Sequence, residues 1–238
     1  MNDVQNVRMH GASNHFLIHF GDMNPKQLLH HLNGADGLLV IQNDEIADAY
    51  MQIFNADGSE AEQCGNGLRC VALHLVRSKL VESPVVTIRT RSGVSRCVVD
   101  ESCNEVTVSL CTPNANPMSS DAISDLICID LGNPNAVYWT TSDPIEERQK
   151  RGELLSTDSS FPEGMNVHFA RRDAEQYATV ATWERGVGPT HASGTGGAAV
   201  FVTSGAEGPF FVSSQGGTLR YEYDAEGGIE MTGPASYV

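Results

Sequence analysis

The sequence predicts an α+β protein of two homologous lobes, in each of which mostly antiparallel strands wrap or flank a central helix. Three observations carry that expectation. The chain has 238 residues, enough for one large domain or two of about 120. A stretch "EQCGNGLRCVA" at 62–72 is matched by "THASGTGGAAV" at 190–200, sharing the order cysteine or serine, glycine, asparagine or threonine, glycine. The surroundings repeat too, and Ser193 follows Cys64 by 129 positions, slightly over half the chain. Such a repeat is sought before elements are assigned, because missing it misassigns the whole fold.

In the first half, "AYMQIFNADGSEAEQ" is a β-rich run that leads into the turn. After it, "LRCVALHLVRSKL" places Val71 with Leu75 and Ala72 with Val76 at helical spacing. Then "SPVVTIRTRSGVSRCVVD" alternates in two runs joined at Ser92-Gly93, where a glycine supplies the positive φ of a tight hairpin. The stretch "CTPNANPMSSDA" at 111–122 is rich in Pro, Asn and Ser and suits a linker. The lobes are therefore expected at 1–115, with Cys64, and 116–238, with Ser193. In the second half "EQYATVATWERGVGP" gives strand and loop, "GAAVFVTSG" a helix, and "PFFVSSQGGTLRYEYD" a hairpin at Gly216-Gly217. That helix is rich in alanine and glycine where its counterpart carries Leu73, Leu75 and Leu80, so it suits close packing inside its own lobe. The last run, "IEMTGPASYV", closes the second lobe or crosses back to the first.

Thirty acidic against fifteen basic residues give a formal charge of −15. That balance argues against nucleic acid and anionic membranes as partners and leaves a small molecule. No run of eighteen apolar residues is present, and "MNDVQNVRMHGASNHF" lacks the basic and apolar parts of a secretory signal, so a cytoplasmic location is expected. The six cysteines form no C-x-x-C pair and no Cys/His spacing suited to zinc, which argues against a structural metal. Cys70, Cys97, Cys103, Cys111 and Cys128 are expected as buried, reduced thiols.

Cys64 stands apart because of where the turn puts it. A helix start leaves N–H groups unpaired and carries partial positive charge, so it attracts carboxylate or phosphate. Neither turn has the lysine of a phosphate-binding G-x-x-x-x-G-K-[ST] loop, and neither reads G-x-G-x-x-G. At such a start a thiol pKa falls from about 8.5 to between about 3.5 and 7.5, which makes Cys64 a candidate base. A carboxylate held by the surrounding N–H groups would offer its α-carbon to that sulfur, and those donors stabilise the developing carbanion. A second group on the opposite face would return a proton with inverted configuration. Ser193 stands where that second group belongs.

On these residues the sequence resembles the diaminopimelate epimerase family. The likeness runs through "MHGASNHF", "FNADGSEAEQCGNGLRC", "LGNPNAV", "FPEGMNV", "WERGVGPTHASGTG" and "MTGPASYV", nearly the whole chain. It implies a cofactor-independent isomerase that interconverts LL- and meso-diaminopimelate with two cysteines, in lysine and peptidoglycan precursor synthesis. It also implies a homodimer and a fold of two similar barrel-like halves, each a mostly antiparallel sheet around a central helix, with the active site in the cleft between them. Carried over position by position, Asn14 lies in the opening motif, and Asn55, Asn133 and Asn166 match asparagines that hold the distal amino-acid end of the substrate. Glu184 and Arg185 match the pair that reads the ammonium and carboxylate there, and arginine suits bidentate carboxylate binding. Gly65, Asn66, Gly194 and Thr195 match the donors around the reacting carboxylate.

Three positions depart from the family pattern: Ser193 for the second cysteine, Asn135 for the histidine of G-N-P-H, and His15 for an aspartate. A hydroxyl is a much weaker acid than a thiol and needs an adjacent base. His191 is near in sequence. Three explanations stand: an engineered exchange on an ordinary epimerase, a natural variant in which Ser193 or an ordered water donates slowly, or a one-base isomerase, dehydratase or other racemase on the same fold. The changes at 135 and 15 point to natural divergence. An amino-acid-binding protein without turnover is the alternative of a different class.

Overall fold

Where two β-rich runs are separated by a short turn, the chain pairs them into antiparallel hairpins, and the apolar face of each is buried against a helix. The computed structural model describes residues 5–21, 24–110, 113, 118–119, 123 and 125–238. The first half runs β1 (Gln5–Gly11), β2 (Asn14–Phe20), a short helix α1 (Pro25–Leu28) continued by a 3-10 turn (Leu29–His31), β3 (Gly37–Gln42), β4 (Ala49–Asn55) and β5 (Glu60–Ala61). Helix α2 (Gly65–Arg77) follows, then β6 (Val85–Thr90), β7 (Gly93–Asp100) and β8 (Glu105–Ser109). The second half runs β9 (Met118–Ser119), β10 (Leu126–Asp130), β11 (Pro134–Trp139), helix α3 (Pro144–Ser156), β12 (Asn166–Ala174), β13 (Tyr177–Glu184) and β14 (Gly188–Thr190). Helix α4 (Gly194–Ser204), β15 (Phe210–Ser214), β16 (Gly217–Tyr223), β17 (Ile229–Pro234) and β18 (Ser236–Tyr237) complete it. The chain forms two units, Met1–Ser109 with Thr232–Val238, and Leu110–Met231. Most of the stretch 111–122, with Cys111, lies outside the described residues.

Each unit has the same pairing scheme. β1–β2 and β10–β11 are antiparallel, and β2–β3 and β11–β12 are parallel. β3–β4 and β12–β13 are antiparallel, as are β4–β5 and β13–β14. β4–β6 and β13–β15 are parallel, and β6–β7 and β15–β16 close the series as hairpins. The repeat read from two short turns is thus a duplication of the whole sheet, mixed α+β and mostly antiparallel. Even its hairpins agree: two-residue loops, Arg91-Ser92 and Gln215-Gly216, precede Gly93 and Gly217 at φ 125 and 129. Each loop lies one residue before the place the sequence suggested.

A parallel pair needs a crossover, and here the two units differ. Between β2 and β3 it is α1 and its 3-10 turn, whose Leu28 and Leu32 pack with Leu17, Leu38 and Val40. Between β11 and β12 it is α3, which hydrophobic periodicity does not reveal because its surface is polar nearly all round; the buried positions are Pro144, Glu147, Arg148, Gly152 and Ser156. Its start is nonetheless written in the sequence. Asp143 accepts from the N–H groups of Ile145 and Glu146 at 2.8 and 3.1 Å, and Pro144 takes the first helical position.

The two central helices are buried along their middle, α4 from Gly196 to Phe201. In α2 every residue from Asn66 to Val76 is buried, including Arg69 and His74. Arg69 donates to Asn66 Oδ1 at 2.9 Å and to the Pro234 carbonyl at 3.2 Å, while His74 Nδ1 lies 3.0 Å from the Tyr237 hydroxyl. These bonds, with the pairing of β18 on β1, tie residues 232–238 to the first unit. In α4 the packing is close enough that a Cβ on Gly197 would fall 2.2 Å from the Tyr221 hydroxyl oxygen. That hydroxyl donates to the Gly194 carbonyl at 3.0 Å.

The cysteines divide. Cys70 and Cys97 are fully buried, and burial pushes both thiols up to about 12, so they are inert. Cys128 is only half-buried, and Cys103 is exposed in the turn between β7 and β8, against the expectation that both are buried. No helix among the described residues is long and apolar enough to cross a membrane.

The β1–β2 hairpin turns on Ala12 and Ser13, at φ 51 and 58, a left-handed conformation that favours glycine. Left-handed backbone costs a side-chain-bearing residue about 1–2 kcal/mol, part of which a glycine forfeits in the unfolded chain. Ser13→Gly is therefore expected to stabilise the protein by up to about 1 kcal/mol, seen as a higher urea midpoint at unchanged slope. An unchanged or lower midpoint would show that the turn is not strained.

Candidate active site

Each repeated turn ends in a residue that caps a buried helix. Cys64 has extended backbone (φ −148, ψ 100), its carbonyl accepts the Leu68 N–H at 2.9 Å, and its sulfur accepts the Gly67 N–H at 3.4 Å. Ser193 does the same in the second unit (φ −134, ψ 122): its carbonyl takes the Gly197 N–H at 3.0 Å and its hydroxyl oxygen the Gly196 N–H at 3.2 Å. The caps bind the third and fourth N–H groups of each helix. The first two, on Gly65 and Asn66 and on Gly194 and Thr195, have no acceptor within the helix and sit where its dipole is positive. Both turns therefore present a pair of backbone donors beside a sulfur in one unit and a hydroxyl in the other, an arrangement suited to a carboxylate.

In the first unit Asn66 is buried with its Oδ1 held by Arg69, so its amide orientation is fixed from below. Asn14 begins β2 directly after the strained turn and pairs with Gly11. Asn55 ends β4, where its Nδ2 donates to the Ser59 hydroxyl at 2.9 Å and its backbone N–H to the Ser59 carbonyl. His15 is exposed, and its backbone N–H donates to Asp36 Oδ2 at 2.7 Å.

In the second unit the sequence-predicted residues converge around α4 and the end of β13. Asn166 has both functional atoms engaged: Nδ2 donates to the Pro134 carbonyl at 2.8 Å, and Oδ1 accepts the Arg185 N–H at 2.9 Å. The exposed Arg185 side chain lies over Gly164, and its Nη1 donates to the Glu163 carbonyl at 3.2 Å. Asn133 turns its Nδ2 to the Thr195 hydroxyl at 3.5 Å. Glu184 is partly buried beside Ser193 and Thr190; burial pushes its carboxyl above the usual value, and the two hydroxyls act in the opposite direction. The contact is loose, since Thr190 Oγ1 is buried without a close hydrogen-bond partner. His191, near in sequence, is exposed. The adjacent ionisable group that Ser193 lacks in the sequence is thus Glu184, nine positions earlier, delivered by the β13–β14 turn.

Sequence reasoning missed a buried network beneath α4. His168 on β12 is fully buried, with Nδ1 3.0 Å from Thr182 Oγ1 and Nε2 3.0 Å from Asn135 Oδ1. Asn135 Nδ2 in turn donates to both the carbonyl and the Oδ1 of Asn133, each at 2.8 Å. The signal was present as "NVHF", a histidine at an inward strand position, but only strand pairing shows what it meets. Among the described residues no cluster of His, Cys, Asp or Glu could hold a metal ion.

Comparison with known proteins identifies the family. The family model "Diaminopimelate epimerase" matches residues 24–114 and 127–238. The chain belongs to the diaminopimelate epimerase family. Among curated members, the diaminopimelate epimerase of Alkaliphilus metalliredigens is 32% identical, covering 98% of this chain and 95% of that one. The Bacillus subtilis enzyme is also 32% identical, covering 100% and 98%. Solved structures share the fold at lower identity. A Bacillus anthracis phenazine biosynthesis protein of the PhzF family has a TM-score of 0.74 at 15% identity, covering 100% of this chain and 98% of that one. A probable proline racemase from Agrobacterium radiobacter has 0.72 at 18%, covering 99% and 91%.

One consequence of the buried histidine in this family member is measurable. Burial lowers the His168 pKa from 6.5 to about 3, so as pH falls below about 6.5 the unfolded chain takes up a proton that the folded one refuses. Stability drops through that window by up to about 1.4 kcal/mol per pH unit from this residue. His19 and His74 shift the same way. His168→Leu is expected to flatten the loss between pH 6.5 and 4 in urea titrations, and an unchanged slope would contradict it.

Proposed function

We propose that this protein epimerises diaminopimelate, interconverting the LL and meso forms without a cofactor, with Cys64 as the carbon-acid base and Ser193, backed by Glu184, serving the other face of the α-carbon. The matched caps carry the reading: one turn built twice, a sulfur at one and a hydroxyl with a neighbouring carboxyl at the other. The substrate carboxylate is held by the N–H groups of Gly65 and Asn66 and of Gly194 and Thr195, which stabilise the carbanion as charge develops.

The proton inventory closes with water as the only further participant. The Cys64 thiolate removes the α-proton and becomes a thiol. Ser193 gives its hydroxyl proton to the carbanion while the Glu184 carboxyl restores the hydroxyl, so no free alkoxide forms. Glu184 suits this because its raised pKa keeps more of it protonated near neutrality than an exposed glutamate. Solvent exchange then resets Cys64 and Glu184. This gives Glu184 a second task beside recognition of the distal end.

Arg185 reads the distal carboxylate in this proposal, with Asn14, Asn55 and Asn133 supplying further polar contacts. Asn166 belongs to the same distal set and in addition holds the Arg185 backbone in place. A homodimer and a cytoplasmic setting belong to the same reading, and light scattering on the purified protein tests the first.

Solvent deuterium tests the assignment. The wild-type protein is expected to incorporate label at the α-carbon with change of configuration, and Cys64→Ala to abolish incorporation from that face. Label without inversion would mean a one-base isomerase, and no label a binding protein. Ser193→Cys is expected to speed inversion by about 100-fold or more, and Glu184→Gln to slow it by a similar factor, the usual scale of general acid–base assistance. Incorporation from that face that survives Cys64→Ala would remove Cys64 from the mechanism.

Arg185→Ala is expected to weaken binding of diaminopimelate far more than binding of alanine, measured by calorimetry, because only the two-ended substrate loses a contact. Equal losses would dissociate Arg185 from the distal carboxylate.

A further inference from the structure

The two units can be aligned residue by residue through their strand pairing, and the alignment isolates a polar layer that only one of them contains. Gly67 and Gly196 are the third residues of α2 and α4 and donate to Cys64 and Ser193 respectively. A Cβ on Gly67 would lie 3.1 Å from the side chain of Leu39, and one on Gly196 would lie 2.5 Å from His168. Leu39 pairs with Ile53, and His168 with Thr182. Two residues before Leu39, Gly37 lies beside Phe16 on the parallel neighbour; two before His168, Asn166 lies beside Asn135. Phe16, Leu39 and Ile53 of the first unit therefore correspond to Asn135, His168 and Thr182 of the second. All six are buried.

An apolar layer would fill this place, as the first unit shows. A buried polar layer is stable only when every member is satisfied, and replacing it by well-packed apolar groups is often neutral or stabilising. Its presence beneath the serine turn alone calls for something the apolar layer cannot do.

The hydrogen bonds show what that is, because each donor dictates the next. Both N–H groups of the Asn135 amide go to Asn133, one to its carbonyl and one to its Oδ1. Asn135 Oδ1 therefore faces His168 Nε2, which must carry a proton. Because the ring is buried and neutral, its Nδ1 is unprotonated and accepts from the Thr182 hydroxyl. At the far end, Asn133 has its Oδ1 bound from behind and its Nδ2 turned to Thr195, in the first turn of α4.

We propose that His168 is a positioning residue: as the Nε2–H tautomer it locks Asn135, and through Asn135 it fixes the Asn133 amide with its N–H groups toward the first turn of α4, where they meet an oxygen of the bound amino acid. Without that lock the Asn133 amide can turn its oxygen to the same place and repel the substrate oxygen. The inference rests on the reading of Asn133 as a substrate-binding residue.

The test measures diaminopimelate affinity by calorimetry, which does not require turnover, in a double-mutant cycle. Asn133→Ala and His168→Leu are each expected to raise Kd about tenfold, and the pair together no more than either alone. His168→Gln, which still offers an N–H, is expected to lose less. The triple change Asn135→Phe, His168→Leu, Thr182→Ile installs the layer of the first unit and is expected to keep or raise the thermal midpoint while weakening binding. Should Asn133→Ala leave Kd unchanged, the reading of Asn133 itself is wrong. Weakening by Asn133→Ala without weakening by His168→Leu and the triple variant, or additive losses, would overturn the role of His168 alone. Long-range 1H–15N correlation on the wild-type protein gives a ligand-independent check: the expected result is an Nε2–H ring that does not titrate between pH 5 and 8. A proton on Nδ1 overturns the relay.

Discussion

The constraint on which the rest depends is the capping of two buried helices by the side chains of residues 64 and 193. The first N–H groups of a helix have no acceptor inside it, so each must find a partner outside or be left for water or a ligand. The capping atom binds the third N–H, the capping carbonyl the fourth, and two donors remain beside a chemically reactive atom. The same bond that makes the helix start stable therefore places sulfur or oxygen next to an anion-binding pair. Stability and chemistry are coupled at this point, and neither residue can be exchanged freely without touching both.

Around that shared feature the two units have diverged in what lies underneath. In the first, Arg69 supports the turn by holding Asn66, and an apolar layer of Phe16, Leu39 and Ile53 fills the remaining space. In the second, a polar layer of Asn135, His168 and Thr182 takes the place of the apolar one, and Glu184 stands beside the capping hydroxyl. A thiol at a helix start gains acidity from the helix alone, whereas a hydroxyl starts too weak for the field to suffice. The extra polar groups accompany the weaker acid, which is the arrangement expected if the serine unit needs more help from its surroundings.

Several residues read differently once the strands are paired. Asn135, which in the sequence is only a missing histidine, proves to be the middle of a relay whose histidine arrives from the neighbouring parallel strand at 168. Asn166, which the family resemblance places on the substrate, also has its side chain bound to two backbone segments, one of them that of Arg185. Cys103, grouped with the buried thiols by residue type, lies in an exposed turn. In each case the residue type was informative about chemistry and silent about neighbours.

What the sequence by itself determined are properties set by local order: the duplicated turn, the hairpin glycines, the helix that follows each cap, and the identity of the capping atoms. These depend on residues a few positions apart, so spacing suffices to read them. Family membership follows for the same reason, since its motifs are contiguous. Only the tertiary structure decided that β2–β3 and β11–β12 run parallel, joined by the crossovers α1 and α3, the second of which hydrophobic periodicity conceals. It alone brought Glu184 to Ser193 and His168 to Asn135. Those contacts join residues on different strands, and their register is fixed by the burial of whole sheet faces, a sum over many side chains that no short stretch of sequence contains.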